Sequence, residues 1–124
     1  MQVKIDTKEK FHVITITETE LSAIMTEDIR NSLLTYLQKP AKNVVLNLKD
    51  IKSIADAAAE TLINIQQSYY DQEASFVICE VQPELEEILD SKGFLEIMNI
   101  VPTESEAGDI VQMEEIEREM LGEE

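Results

Sequence analysis

Five stretches of apolar and β-branched residues predict the strands of a sheet. The first alternates between polar and apolar residues, with Val3 and Ile5 on one side, and the charged segment 7–10 after it fits a hairpin turn. The third and fourth are almost entirely apolar, which is typical of parallel strands covered on both faces. The predicted strands are 2–6, 11–17, 44–48, 76–79 and 97–101.

Apolar residues recur at helical spacing between these strands and after the last of them. Pro40 ends the first helical pattern, Pro83 stands where a third helix begins, and Gly93 is placed to cap that helix. The second helix is predicted over 56–71. The apolar stripes of the four helices are Met25, Ile29, Leu33 and Leu37; Leu62, Ile65 and Tyr69; Leu85, Ile88 and Leu89; and Ile110, Met113, Ile116 and Met120.

The order of these elements is β-β-α-β-α-β-α-β-α, which places the chain in the α/β class. A hairpin followed by repeated strand–helix units implies right-handed crossovers and a mostly parallel sheet. The 124 residues suffice for one domain with a single core, and no repeat or Gly/Ser linker divides them. We expect a single domain over 1–120 and a short acidic tail at 121–124.

The chain is strongly acidic, with 26 acidic against 10 basic residues and a formal net charge of −16. Residues 83–124 carry 14 of the acids and only two bases, so most of the imbalance lies in the last third. This charge argues against binding to nucleic acid or to an anionic membrane, and it favours basic partners. No apolar run approaches the length of about 18 residues that a membrane span requires. The single cysteine, Cys79, precludes an intrachain disulfide and, with these features, indicates a reducing cytoplasm.

The residue types that carry catalysis or bind metals do not form a recognisable pattern. His12 is the only histidine and lies within a predicted strand, so it is interpreted as a strand side chain. Cys79 has no CxxC neighbour and ends an apolar strand, which favours a core position over a nucleophile. Three glycines in the whole chain cannot build a phosphate-binding loop. We predict no catalytic residue, no metal site and no cofactor.

One segment carries a resemblance to a known family. Residues 43–60 read NVVLNLKDIKSIADAAAE, an apolar strand and a short loop followed by an acid and three small residues that open a helix. This resembles the signature of the STAS domain family, the anti-sigma factor antagonists, in which Asp-Ser-Ser-Gly-Leu follows an apolar strand. The resemblance spans almost the whole chain, since further similar segments are Thr19-Glu20-Leu21-Ser22 before the first helix, 76–80 as the fourth strand, and Pro83-Glu84-Leu85 and Gly93-Phe94 around the third helix.

The resemblance implies a non-catalytic protein-interaction module. In switching members of the family, a kinase that is also an anti-sigma factor phosphorylates the second serine, and the unphosphorylated form binds that kinase. Here Ala57 and Ala58 fall on the two serines, so the usual position has no hydroxyl to phosphorylate. We therefore expect binding to a kinase-like anti-sigma regulator without phospho-switching at this position. Ser53 is a lesser candidate for modification, because a kinase reaches a loop more easily than a helix interior.

The resemblance places the partner-binding surface at the start of the second helix and in the loop beside it. Asp56 is expected to cap this helix, its carboxylate accepting hydrogen bonds from amides near Ala58 or Ala59. Glu60 stands where the family has an apolar residue. The expected surface residues are Asp56, Ala57, Ala58, Ala59, Glu60, Glu20, Leu21 and Ser22.

Two other functions stay open. The same fold could serve as a scaffold or subunit of a larger signalling or transport complex, or as a homodimer. The acidic terminal helix, with its stripe of Ile110, Met113, Ile116 and Met120, would then be an interface. An enzyme or small-molecule binder is supported only by the α/β class, whose strand ends often carry ligand sites.

Overall fold

The computed structural model describes residues 1–122, and the strands and helices follow the predicted order with four short additions, two 3₁₀ helices and two strands of two residues each. One-turn 3₁₀ helices at Ala23–Met25 and Thr35–Gln38 extend the first α-helix at its two ends. The elements are β1 (Val3–Thr7), β2 (Phe11–Ile16), β3 (Glu20–Leu21), α1 (Thr26–Leu34), β4 (Asn43–Asn47), β5 (Ser53–Ile54), α2 (Asp56–Asp71), β6 (Phe76–Cys79), α3 (Pro83–Ser91), β7 (Ile100–Val101) and α4 (Glu104–Gly122).

The main sheet has five strands in the order β1-β2-β4-β6-β7. Only β1 runs antiparallel, as the first arm of the predicted hairpin, and every other pair is parallel. The α/β class and the mostly parallel sheet are therefore confirmed. β3 and β5 form a separate two-stranded parallel ladder. The sequence analysis did not predict this ladder, because a strand of two residues is too short to show an alternation of polar and apolar positions.

Helices cover both faces of the sheet, so the central strand β4 is buried on both sides. Val44 and Leu46 belong to the main core beneath α1, α2 and α3, whereas Val45 faces the second, smaller core beneath α4. A strand with both faces buried carries apolar residues throughout, which explains its continuous apolar run. The second core consists of Phe11, Val13, Val45, Val77, Cys79, Ala107 and Val111.

Backbone conformation favours glycine at Gly93, and close packing favours it at Gly108. Gly93 follows α3 with φ +77°, a backbone conformation that other residues rarely adopt. Its N–H donates to the Asp90 carbonyl, and the Phe94 N–H donates to the Leu89 carbonyl at 2.9 Å, which together form the capping geometry predicted for Gly93. Gly108 lets α4 approach the sheet, because an added Cβ would lie only 3.1 Å from Phe11 Cζ.

The last strand is shorter than predicted. Residues 97–101 were expected to be extended, but only Ile100–Val101 pair with β6. The Met98 N–H instead donates to the Phe94 carbonyl at 3.2 Å, so the chain turns before it joins the sheet. Ile97 lies in this turn and is 56% exposed.

The end of the chain is helical as far as it is described. α4 continues through Gly122 and so includes the first two residues of the segment predicted as a tail. The other two residues of that segment, 123 and 124, lie outside the described residues. The extent of the domain, 1–120, stays a prediction.

Candidate functional site

Two segments that are distant in sequence meet where α2 begins. The Thr19 carbonyl accepts a hydrogen bond from the Lys52 N–H at 2.7 Å, and the Leu21 carbonyl accepts one from the Ala55 N–H at 2.8 Å. The 3₁₀ helix Ala23–Met25 then packs beside α2. The structure therefore brings the loop around Glu20 next to the start of α2, as the resemblance implied.

The cap of α2 differs from the prediction. Ala55, not Asp56, is the last extended residue, with φ −76° and ψ 151°, and its carbonyl accepts the first helical hydrogen bond, from the Ala59 N–H at 3.0 Å. The pairing of Ala55 with Leu21 fixes this extended conformation one residue earlier than expected. Asp56 already has helical geometry, and its carboxylate accepts a hydrogen bond from Lys92 Nζ instead of from backbone amides.

Helical geometry divides the five expected residues of α2 into two groups. Asp56, Ala57 and Glu60 are exposed, whereas Ala58 and Ala59 are 0% exposed and belong to the main core. The accessible surface at the start of α2 therefore consists of two carboxylates around a single methyl group. Ala58 supports this surface from below and does not present its own side chain.

The neighbouring loop contributes a large apolar side chain that the sequence analysis missed. Glu20 is exposed, Leu21 is fully buried and Ser22 is partly buried. Two residues later, Ile24 is 93% exposed, the largest exposure among the large apolar side chains described. Its only signal in the sequence is that it lies one residue before the apolar stripe that starts at Met25. We name the exposed residues Glu20, Ile24, Asp56, Ala57 and Glu60 the α2-start surface.

Two hydroxyl groups near this surface, those of Ser53 and Thr61, each lie within hydrogen-bonding distance of another group of the protein. Ser53 Oγ lies 3.5 Å from a carboxylate oxygen of Glu20, and the residue is partly exposed. Thr61 is buried, and its hydroxyl donates to the Ala57 carbonyl at 2.8 Å. Ser53 is therefore the more accessible of these two hydroxyls.

His12 and Cys79, the two residues considered for metal binding or catalysis, are both buried in the structure. His12 Nε2 donates to the Ala41 carbonyl at 2.8 Å, and Nδ1 lies 3.0 Å from the Thr7 hydroxyl. Burial, with smaller contributions from Glu104 and Glu80, raises the pKa of the Cys79 thiol to about 12, which suppresses the reactive thiolate. Within residues 1–122, no three His, Cys, Asp or Glu side chains lie close enough together to hold a metal ion.

A match between the sequence and a family model shows which family the protein belongs to. The model described as the STAS domain matches residues 2–107 of the chain. This protein belongs to the STAS domain family. The resemblance drawn from residues 43–60 is thereby confirmed at the level of the family. That Ala58 replaces the phosphorylated serine stays a prediction.

Solved structures of the same fold include proteins of different sizes. An anti-sigma factor antagonist from Mycobacterium paratuberculosis superposes with a TM-score of 0.75 at 11% identity, over 90% of this chain and 93% of that one. The anti-sigma factor antagonist SpoIIAA of Bacillus, in its unphosphorylated form, gives 0.69 at 17% identity, over 90% and 96%. The murine anion transporter Slc26a9 gives 0.70 at 10% identity, over 84% of this chain but 18% of the transporter.

These similarities at low identity establish the fold and not the activity. No curated protein sequence matches this STAS chain. No helix among residues 1–122 is both long and apolar enough to cross a membrane.

Proposed function

We propose that this STAS protein is a non-catalytic interaction module that binds a kinase-like anti-sigma regulator in the cytoplasm through the α2-start surface. The observation that carries the proposal is the exposure of Ile24 on the 3₁₀ helix that packs beside α2, whose first turns expose Asp56, Ala57 and Glu60. Binding sites typically concentrate their affinity in a few apolar anchors surrounded by polar residues. The membership of the STAS family, together with anti-sigma factor antagonists among the proteins of the same fold, supports the choice of partner.

The proposed binding is constitutive at this site. Residues 56–60 read Asp-Ala-Ala-Ala-Glu and include no hydroxyl, so a kinase finds no acceptor there. An alanine also brings no charge, so it does not imitate a phosphoserine. The regulator would then bind and release this protein according to its own state or concentration, and not according to phosphorylation at the start of α2.

A titration with the purified kinase-like anti-sigma factor from the same organism tests the proposal. Burying a fully exposed isoleucine contributes about 1.5–3 kcal/mol, so Ile24→Asp should weaken the complex by at least roughly tenfold. Ile97→Asp is a matched control, because Ile97 is also an exposed isoleucine but lies after α3. Equal affinities of the wild type and the Ile24→Asp variant would contradict the α2-start surface.

Phosphorylation is measured in the same experiment. With ATP present, intact-mass spectrometry should detect no added phosphate on the wild-type protein while the complex still forms. A phosphate located at Ser53 by peptide mapping, with loss of the complex, would show that a switch exists at the position beside Glu20 and would overturn constitutive binding.

A second candidate function is a subunit of a larger assembly. It is favoured by the match to Slc26a9, in which a region of this fold makes up less than a fifth of the chain. Size-exclusion chromatography of the native complex from fresh lysate separates the two candidates. A complex containing only this protein and the kinase-like regulator supports the first, and a membrane-associated or multi-subunit complex supports the second.

A further inference from the structure

The second half of α4 has its polar and apolar faces reversed relative to a helix that packs on a core. Glu114, Glu115 and Arg118 are partly buried on the side that faces the sheet. Met113, Ile116 and Met120 lie on the opposite side and are 59%, 55% and 65% exposed. Their spacing of three and four residues places them in one row along the helix. A row of this kind differs from the scattered exposed apolar residues that most surfaces carry.

Hydrogen bonds on the inner side fix the rotation of α4. The Tyr70 hydroxyl donates to Glu114 Oε1 at 2.9 Å, and Asn43 Nδ2 donates to Glu115 Oε2, also at 2.9 Å. Arg118 Nη2 donates to Ser75 Oγ at 3.1 Å. Ala107 and Val111 anchor the first half of the helix in the second core. Because these contacts hold α4 from both halves, the row of Met113, Ile116 and Met120 cannot turn inward.

The charges around this row select what can cover it. α4 carries a single basic residue, Arg118, which is engaged on the inner side. Asp109, Glu117 and Glu119 are exposed and border the row at helical neighbour distances. Two lysines of the hairpin, Lys8 and Lys10, line the groove beside Ile116 and Glu119, and Lys8 is paired with Asp6, so the acids of α4 outnumber the bases around the row. The acidic residues of α4 are Glu104, Glu106, Asp109, Glu114, Glu115, Glu117 and Glu119.

A second copy of the chain would bring the same carboxylates to the same surface. Like charges opposed across an interface destabilise it, and an anionic membrane is repelled for the same reason. A helix with an apolar row flanked by Lys or Arg meets both features at once, since it buries the methionines and isoleucine and pairs with the bordering acids.

We propose that the outer face of α4 binds a cationic amphipathic helix of a partner protein. The row Met113, Ile116 and Met120 supplies the apolar contact, and Asp109, Glu117 and Glu119 supply the charge complementarity. α4 covers the face of the sheet opposite α1, α2 and α3. Its outer face is therefore separate from the α2-start surface. The protein could then hold two different partners at the same time.

The proposal is tested with a synthetic peptide as the probe. A fluorescein-labelled peptide of about 15 residues, long enough to form a helix on binding, carries leucines at three- and four-residue spacing with lysines between them. A second peptide has the same composition in scrambled order. Fluorescence anisotropy with the full chain should show at least roughly tenfold tighter binding of the first peptide, because only it presents a continuous apolar row.

Two sets of variants locate the binding on α4. The double variant Ile116→Gln, Met120→Gln keeps the charge and the helix propensity and should lose at least roughly tenfold in affinity. The double variant Glu117→Gln, Glu119→Gln should bind more weakly and with a smaller dependence on salt. Ile97→Gln, which removes an exposed isoleucine elsewhere, should bind like the wild type.

Three results would overturn the proposal. Equal binding of the ordered and scrambled peptides would mean that only the overall negative charge attracts them. Unchanged binding by the Ile116→Gln, Met120→Gln variant would place the site elsewhere. A wild-type dimer in sedimentation velocity that this variant dissociates would make a second copy the occupant.

Discussion

Arg118 and Asn43 are 75 residues apart in the sequence and in contact in the fold, with Arg118 Nη2 3.2 Å from Asn43 Oδ1. Asn43 begins β4, and its side chain also accepts from the Ser75 N–H and donates to the Lys10 carbonyl and to Glu115. One buried amide therefore connects the hairpin turn before β2, the start of β4, the residue before β6, and α4. Because all of its polar atoms are paired, this cluster carries no desolvation penalty for unsatisfied groups.

The cluster should give the stability a specific dependence on pH. The hydrogen bond from Asn43, followed by that from Arg118 and its charge, lowers the pKa of Glu115. A carboxyl group whose pKa is lower in the folded state stabilises the fold above its unfolded pKa, and this contribution is lost as the pH falls through the folded value. We expect Glu115→Gln to be less stable than the wild type at pH 7 and the difference to shrink as the pH falls below roughly 4.

Urea denaturation of the two proteins at several pH values measures this difference. Glu119→Gln is the control for net charge, since it removes a carboxylate from the outer side of the same helix. Lower pH also relieves the general repulsion in a chain of net charge −16, so the comparison uses differences between variants and not absolute stabilities. A Glu115→Gln deficit that is constant from pH 7 to pH 3 would contradict the role assigned to the carboxylate.

The thiol of Cys79 should react only when the protein opens. It is fully buried beneath α4, and its pKa is raised to about 12, so the native state offers neither access nor thiolate. We expect labelling with a chromogenic disulfide to be slow in native buffer and to accelerate in urea in step with unfolding measured by circular dichroism. As the chain has one cysteine, the signal belongs to this residue alone. Native labelling as fast as that of a free thiol would show that α4 lifts from the sheet.

The sequence predicted the elements in which burial requires apolar residues along the whole helix or strand. α2 spans the predicted 56–71, and β6 has the predicted bounds, because each buries an uninterrupted pattern of apolar residues. The cap of α2 depended instead on the hydrogen bond between Ala55 and Leu21, a contact between distant segments. Ile24 was missed for a similar reason, since periodicity identifies residues that face a core and not those that face a partner.

The ion pair between Asp56 and Lys92 should contribute little to stability. Both side chains are substantially exposed, at 59% and 44%, and exposed ion pairs typically contribute less than about 1 kcal/mol. A double-mutant cycle with Asp56→Asn and Lys92→Met should therefore give a coupling energy below about 1 kcal/mol. The exposed pair of Asp6 and Lys8 in the hairpin is a matched control and should give a similar value.

A coupling above about 2 kcal/mol for Asp56 and Lys92 alone would contradict this expectation and would make the pair a structural link between α2 and α3. A small coupling has a functional consequence. The carboxylate of Asp56 could then exchange Lys92 for a cation of a partner without loss of the fold.

Ala57 and Ala58 should respond in opposite ways to the same substitution. Ala58 is 0% exposed within the main core, so Ala58→Glu forces a carboxylate into an apolar site and should destabilise the protein by at least about 3 kcal/mol. Ala57 is exposed in the first turn of α2, where the free backbone amides favour a negative charge, so Ala57→Glu should change the stability by no more than about 0.5 kcal/mol. Urea denaturation of both variants measures the contrast, and equal stabilities would contradict the division of α2 into an exposed and a buried side. If the contrast holds, Ala57→Glu is the variant that introduces a phosphate-like charge on the α2-start surface, and its loss of regulator binding can be read without a contribution from unfolding.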